Sequence, residues 1–144
     1  MKNLKELLNI NQDELIVFTS KTCKYCTSLK ELLKKEKIKF TEKDIVKYNK
    51  EWNNLVDLSN VPMTPAICYN GKNFFPGRDF PNPEMLIKIL KTYKRTNNNF
   101  DEKTYERLTT LNYNIHKAFT SLDKRLQDIE KLLKSKENEH KSTN

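Results

Sequence analysis

The first 95 residues alternate between strand-like and helix-like spacing of apolar positions. Leu15–Phe18 is a short unbroken apolar run, which is typical of a strand buried on both faces of a sheet. A helical pattern follows over 24–37, strand-like alternation over 38–46, and a second helical pattern over 49–58. A shorter helical pattern over 2–9 precedes them all. The spacing therefore predicts a β-α-β-α order after a leading helix.

The next segment contains the strongest turn signal in the sequence. Asn70-Gly71 lies in the middle of the strand-like residues 66–75, and both residue types tolerate the positive φ that a two-residue hairpin requires. Asn82 followed by proline is typical of a helix start, which predicts a helix over 83–95. The complete order β-α-β-α-β-β-α belongs to the α/β class. It predicts a four-stranded mixed sheet with a parallel pair first and an antiparallel edge.

The remaining residues predict a separate helical element. Residues 96–100 are polar, so we predict a linker there, between a domain over 1–95 and a long helix. From 101 to 137 the chain has no Gly or Pro, and apolar residues recur every seven positions; a disordered tail is predicted over 138–144. The sevenfold repeat consists of Leu108, Ile115, Leu122 and Ile129, with Leu111, Ala118 and Leu132 at an intermediate position and Phe119, Leu126 and Leu133 widening the stripe.

Two interpretations of this helix are open. In the first, residues 101–136 pair with the same helix of another copy as a coiled coil, which makes the protein a homo-oligomer. In the second, the helix packs on its own domain or on a different protein. Four unbroken heptads favour the first interpretation, whereas Ala118 and Arg125 at the intermediate position weaken it.

Charge and composition restrict the class of protein. The net charge is +8, and residues 1–95 hold 18 Lys and Arg against 11 Asp and Glu, so the excess lies in the first part of the chain. Such an excess suits an anionic partner. No apolar run approaches the length of a membrane helix, and the N-terminus is charged throughout. We therefore expect a cytoplasmic protein that contacts no membrane.

The sequence Cys23-Lys24-Tyr25-Cys26 is the main candidate for chemistry. It follows a predicted buried strand and begins a helix, where free amide groups and the helix dipole favour an anion such as a thiolate. The thiolate is the reactive form of cysteine, so we assign Cys23 as the nucleophile. Cys26 lies one turn further into the helix and is the expected resolving thiol.

Metal binding is the principal alternative for these cysteines. A structural zinc site needs four ligands, and one pair of cysteines supplies two. Cys68, His116 and His140 are not spaced as a second pair. We therefore expect no bound metal and no other bound cofactor. Cys68 lies within an apolar strand, which is typical of a cysteine packed in the core, and a regulatory thiol is the alternative.

Three segments resemble the glutaredoxin family. The first is the stretch from Ile16 to Cys26 with the following Leu29-Lys30-Glu31-Leu32-Leu33, which is similar to the active-site strand and helix of glutaredoxins. The second is Thr64-Pro65 before a strand, and the third is the run Pro76-Gly77-Arg78-Asp79 after the hairpin. The resemblance covers about residues 12–95 and implies a thioredoxin-like three-layer fold. It also implies a cis bond at Pro65, with the Thr64 backbone facing the thiols.

The resemblance further implies that glutathione serves as the reductant. Its expected binding residues are Lys21, Tyr25, Thr64, Pro65, Gly77, Arg78 and Asp79. The sequence departs from the family pattern at several positions, where Lys24 replaces the usual proline between the cysteines and Pro76 and Phe80 replace a Gly and an Asp. These departures concern glutathione specificity more than the fold.

Three functions follow from these features. The favoured one is a thiol–disulfide oxidoreductase that reduces protein disulfides or glutathione mixed disulfides through the dithiol. The alternative is a non-enzymatic adaptor that uses a thioredoxin-like domain and a helical oligomerisation arm. Nucleic-acid binding has the least support, because basic and aromatic residues do not interleave in any recognisable motif.

Overall fold

The computed structural model describes residues 14–94 and 101–142. The predicted leading helix over 2–9 and the predicted linker over 96–100 lie outside these residues. Contacts divide the chain into two compact units, with the boundary after Thr110.

The first unit contains the predicted four-stranded mixed sheet. Its strands are β1 (Ile16–Thr19), β2 (Thr41–Asp44), β3 (Ala66–Tyr69) and β4 (Lys72–Phe74), in the spatial order β2-β1-β3-β4. β1 pairs with β2 in parallel and with β3 in antiparallel fashion, and β3 pairs with β4 in antiparallel fashion. This topology is the thioredoxin-like arrangement that the sequence predicted.

Local signals in the sequence account for the turn and for a helix start. Asn70 and Gly71 have φ values of 52° and 73°, as a two-residue hairpin between β3 and β4 requires. The helices of the sheet are α1 (Lys24–Lys35), α2 (Asn49–Ser59) and α3 (Pro83–Thr92). At the start of α3, the Asn82 side chain accepts a hydrogen bond from the Met85 amide at 2.9 Å.

Two apolar clusters cover the two faces of the sheet and make the fold three-layered. β1 contributes to both clusters and is buried along its whole length, as its unbroken apolar run predicted. One cluster joins β1 to α1 and α3 through Leu15, Val17, Leu29, Leu33, Ile67, Phe74, Phe80, Leu86, Ile87 and Leu90. The other joins it to α2 through Ile16, Phe18, Leu55, Leu58, Ala66, Cys68 and Phe75.

The last helix, α4, extends from Glu102 to Ser142. It therefore continues through residues 138–142, where the sequence predicted a disordered tail, because those residues include no Gly or Pro to end it. Its first turns belong to the first unit, so that unit extends past the predicted boundary at residue 95 to Thr110. Within the described residues, no helix is both long and apolar enough to cross a membrane.

Candidate active site

The two predicted thiols lie at the start of α1 and are joined as a disulfide. Cys23 is the residue immediately before the helix, and its Sγ accepts a hydrogen bond from the Cys26 amide at 3.1 Å. Cys23 is partly exposed, whereas Cys26 is 1% exposed. An amide directed at Cys23 Sγ also favours the thiolate once the disulfide is reduced. The two sulfurs therefore differ in access and in electrostatic environment.

The loop before β3 brings a second predicted element to the dithiol. The Thr64–Pro65 bond is cis, as the family resemblance implied. The carbonyl oxygen of Thr64 lies 3.6 Å from Cys23 Sγ, and its Oγ1 lies 3.3 Å from Ser20 Oγ just after β1. Two segments that are 41 residues apart in the chain thus meet at the reactive sulfur.

Lys21 and Tyr25 flank the dithiol along the chain. Lys21 is exposed in the turn between β1 and α1. The Tyr25 ring is half-buried against the cluster that contains α3, and burial together with the nearby carboxylate of Glu84 raises the pKa of its hydroxyl. The Tyr25 hydroxyl oxygen is buried and has no hydrogen-bond partner within the described part of the chain. Tyr25 is therefore a neutral, largely apolar wall beside Cys23.

The Arg78 side chain lies inside the protein. It is 2% exposed and forms ion pairs with Asp79 at 2.7 Å and with Glu106 at 2.8 Å. It also donates to the Asn73 carbonyl oxygen and to Thr110 Oγ1, both at 3.0 Å. These partners use four of the five N–H donors of the guanidinium, which lies inside the protein and not at the surface.

Asp79 is likewise directed inward. Its Oδ2 accepts from the Phe75 amide at 2.8 Å as well as from Arg78 Nε. Gly77, in contrast, is exposed, with a φ of 78°, and its amide donates to the Phe80 carbonyl at 2.8 Å. The loop over 76–80 is therefore fixed from beneath by the buried side chains of Arg78 and Asp79, while Gly77 is exposed. In this structure both side chains are directed inward, and the contact of Arg78 and Asp79 with a ligand stays a prediction.

Sequence reasoning did not single out Glu106, which lies on the first turns of α4. Its carboxylate is 6% exposed and also accepts from Asn73 Nδ2 at 3.2 Å. Burial raises the pKa of Glu106, and Arg78 beside it opposes that rise. In the sequence, Glu106 resembles any polar residue on the solvent-facing side of an amphipathic helix. No sequence signal therefore identifies it as buried.

Cys68 is the third thiol and belongs to the core. It is 3% exposed and packs in the cluster on the α2 side of the sheet, where burial raises the pKa of its thiol well above the ordinary range. The structure thus agrees with the core interpretation of Cys68. Within residues 14–94 and 101–142, no group of three or more His, Cys, Asp or Glu is placed to hold a metal ion.

Burial leads to a prediction for Cys68. In a Cys23→Ser/Cys26→Ser variant, we expect the remaining thiol to stay unlabelled by Ellman's reagent in native buffer and to react within minutes in denaturant. A buried thiol that titrates far above neutral pH presents almost no thiolate to the reagent. Rapid labelling of the native variant would show that Cys68 is accessible and would favour the regulatory alternative.

Comparisons with known proteins agree with the dithiol site. Residues 15–74 match the glutaredoxin family model, a segment that includes both cysteines, Thr64 and Pro65. No curated protein is similar enough in sequence to be matched. Among solved structures, a mutant of the thioredoxin-like protein BC3987 shares 23% identity, with a TM-score of 0.45, over 54% of this chain and 99% of that chain. Buckwheat glutaredoxin in complex with glutathione shares 17% identity, with a TM-score of 0.45, over 61% of this chain and 82% of that chain.

With TM-scores of 0.45, these two structures do not establish the family. The family assignment of the matched segment rests on the match to the family model. The matched segment begins one residue before β1 and ends with β4, so it includes the whole sheet and the helix that carries the thiols. Residues 15–74, which carry the Cys23/Cys26 dithiol, are therefore a glutaredoxin domain.

Proposed function

We propose that this protein is a thiol–disulfide oxidoreductase that reduces protein disulfides or glutathione mixed disulfides, with Cys23 as nucleophile and Cys26 as resolving thiol. The observation that carries the proposal is the contrast between the two sulfurs. Cys23 is partly exposed and its Sγ accepts a hydrogen bond from the Cys26 amide, while Cys26 is almost completely buried. An attacking thiol needs access and a stabilised thiolate, whereas a resolving thiol needs only to reach the first sulfur.

The proposed reaction consists of two thiol–disulfide exchanges. The Cys23 thiolate attacks one sulfur of the substrate disulfide, forms a mixed disulfide and releases the other substrate sulfur as a thiolate. Cys26, after losing its proton, attacks the Cys23 sulfur and releases the second substrate sulfur. The substrate has then gained two electrons, and the protein holds the Cys23–Cys26 disulfide. Two glutathione molecules, each losing a proton and an electron, restore the dithiol and leave as glutathione disulfide.

Five of the predicted residues remain as the surface for glutathione. Lys21 offers an exposed cation to a carboxylate, and Tyr25 offers an apolar wall beside the sulfur. The main chain at Thr64, next to Pro65, borders Cys23, and Gly77 exposes its backbone.

The other two predicted residues have an indirect role in this proposal. Arg78 and Asp79 hold the loop of Gly77 in place. The cycle as a whole needs a reducing compartment, and we place it in the cytoplasm, where glutathione keeps thiols reduced.

The test separates the two thiols by substrate. Cys26→Ser is expected to retain turnover of a small glutathione mixed disulfide, because Cys23 alone accepts the glutathionyl group and a second glutathione removes it. The same variant is expected to lose reduction of an intramolecular protein disulfide such as that of insulin, because no resolving thiol releases the trapped substrate. A coupled assay with glutathione reductase and NADPH measures both rates.

Cys68→Ala is the matched control, because it removes a thiol outside the site, and both of its rates should equal those of the wild type. Thioredoxin reductase in place of glutathione and its reductase identifies the electron donor. A wild-type protein that reduces neither substrate with either donor would refute the proposed function.

A further inference from the structure

The part of α4 that follows Thr110 carries a continuous apolar stripe that is open to solvent. The six residues that form it are between 46% and 67% exposed. Their spacing alternates between four and three residues without a break from Ile115 to Leu133. The stripe residues are Ile115, Phe119, Leu122, Leu126, Ile129 and Leu133.

This alternation assigns a coiled-coil register that differs from the simple sevenfold repeat. In heptad notation, the a positions and the d positions each hold three stripe residues. In this register Arg125 immediately precedes an a position. It is therefore at a g position, which flanks the seam, and it does not interrupt the seam. Glu130 follows a d position and is a flanking e position. The residue that weakened the coiled-coil interpretation thus lies beside the seam, where charged residues are expected. The a positions are Phe119, Leu126 and Leu133, and the d positions are Ile115, Leu122 and Ile129.

We infer that this stripe associates with the same stripe of other copies of the chain, as a parallel and in-register bundle. In a parallel coiled coil, a g residue faces the e residue five positions further along in the neighbouring copy. Arg125 therefore faces Glu130 of the neighbouring copy, and the symmetry repeats this pair at every interface. Among the described residues, neither Arg125 nor Glu130 forms an ion pair within its own chain.

Charge and polarity disfavour the antiparallel arrangement. An antiparallel pair that keeps all six stripe residues in contact places Arg125 opposite Arg125 and Asp123 opposite Asp123 of the neighbouring copy. Like charges in such positions are destabilising. If the two antiparallel helices are shifted by one heptad, so that they overlap closer to the start of α4, these like charges are separated. The shift, however, places the amide of Asn112, at an a position, opposite the apolar Ile129. The parallel arrangement instead sets Asn112 against Asn112, where the two amides pair and define the register.

The residue types in the seam bear on the number of copies. Leu at a with Ile at d favours three or four helices over two. Leu111, Ala118 and Leu132 at g positions extend the apolar surface on one side of the seam, which a larger bundle covers and a dimer leaves in water. We therefore expect sedimentation equilibrium of the full-length protein, at tens of micromolar, to give three or four times the chain mass of 17.1 kDa.

The test of orientation is a charge exchange across the seam in the full-length protein. Arg125→Glu and Glu130→Arg each convert every interchain attraction into a repulsion, so each variant alone should associate roughly tenfold more weakly. An equimolar mixture of the two variants restores opposite charges at each mixed interface and should associate more tightly than either variant alone. An alternating tetramer has only mixed interfaces and should recover the wild-type association, whereas a trimer keeps one like-charged interface and should recover part of it. Recovery on mixing also shows that each variant is folded. Lys124→Glu, with the same charge change on the outer face, is the matched control and should associate as the wild type does.

The outcomes separate the arrangements. Recovery specific to the mixture supports the parallel bundle. Single variants that associate as tightly as the wild type, with no effect of mixing, would overturn the parallel arrangement. In an antiparallel pair, the Arg125→Glu substitution only replaces a repulsion between two arginines by a repulsion between two glutamates, so little change is expected there.

Two further results bear on self-association itself. A wild-type protein that is monomeric at tens of micromolar would overturn self-association and leave another protein or its own domain as the occupant. A dimeric mass would overturn the inferred number of copies. Disulfide reductase activity toward a small substrate should be the same throughout, so this test is independent of the proposed function.

Discussion

Cys23→Ser is expected to abolish the reduction of both glutathione mixed disulfides and protein disulfides, with a loss on the order of a thousandfold or more. The reason is that every bond made to the substrate in the proposed cycle is made by Cys23 Sγ. Cys26 is 1% exposed and cannot attack a substrate sulfur in its place. The serine hydroxyl at position 23 is not ionised near neutral pH and does not form a mixed disulfide. Steady-state turnover in the coupled glutathione assay measures this loss.

A labelling experiment on the reduced wild type checks the same assignment without a substrate. Iodoacetamide near pH 6 should modify Cys23 much faster than Cys26, because only the first thiol is both accessible and supplied with an amide hydrogen bond that favours its thiolate. Mass spectrometry of the peptide over 22–30 gives the position of the modification. Equal rates at the two cysteines would contradict the assignment of nucleophile and resolving thiol.

Glu106→Leu is expected to reduce the free energy of unfolding by about 3–5 kcal/mol, the usual cost of breaking a buried ion pair. The substitution removes one of the two carboxylates from a guanidinium that is 2% exposed. It also leaves Asn73 Nδ2 inside the protein without the acceptor it uses in the structure. Urea denaturation followed by circular dichroism measures the change.

Two further variants serve as controls for the urea denaturation of Glu106→Leu. Glu106→Gln keeps one acceptor oxygen, for either Arg78 or Asn73, and should be destabilised less than Glu106→Leu. Asp57→Asn removes exposed ion pairs to Lys103 and Arg107 and should leave the denaturation midpoint nearly unchanged. A Glu106→Leu protein that unfolds at the wild-type urea concentration would show that the buried network around Arg78 does not stabilise the domain.

The same network predicts where the domain can be cut. A chain that ends at Asn114, one turn beyond Thr110, keeps Glu106 and the Thr110 hydroxyl that donates to the Ser59 carbonyl oxygen at 2.8 Å. It should therefore fold and retain disulfide reductase activity. A chain that ends at Arg95 completes every strand and helix of the sheet, but it lacks Glu106 and Thr110 and therefore exposes the Arg78 guanidinium to solvent. We expect that chain to be less stable than the chain that ends at Asn114, because it lacks the Arg78–Glu106 ion pair and the hydrogen bonds of Thr110.

Much of the redox domain was determined by local sequence. Leu15–Phe18 is apolar at every position, and only a central strand buries both of its faces, so β1 could be predicted from four residues. Asn70-Gly71 determined the hairpin because both residues tolerate positive φ. The place of Cys23 at a helix start followed from the strand before it and the helical spacing after it. These features could be predicted because neighbouring residues along the chain produce them.

The surroundings of the site were decided by the tertiary structure. Asp79 matches a family motif that suggests ligand contacts, and Arg78 adjoins it. Glu106 and Thr110, about 30 residues further on, nevertheless complete the shell of the Arg78 guanidinium and keep it from solvent. A sequence motif specifies which residue types occur. It does not specify which distant side chains form hydrogen bonds or ion pairs with them. The contact of Thr64 with Cys23 likewise depends on β3 lying beside β1 in antiparallel register. Sequence alone therefore determined the sheet and the dithiol. Packing between distant segments decided which polar groups near the dithiol remain open to a ligand. The physical reason is that a charge can be buried only where other parts of the chain pair with it.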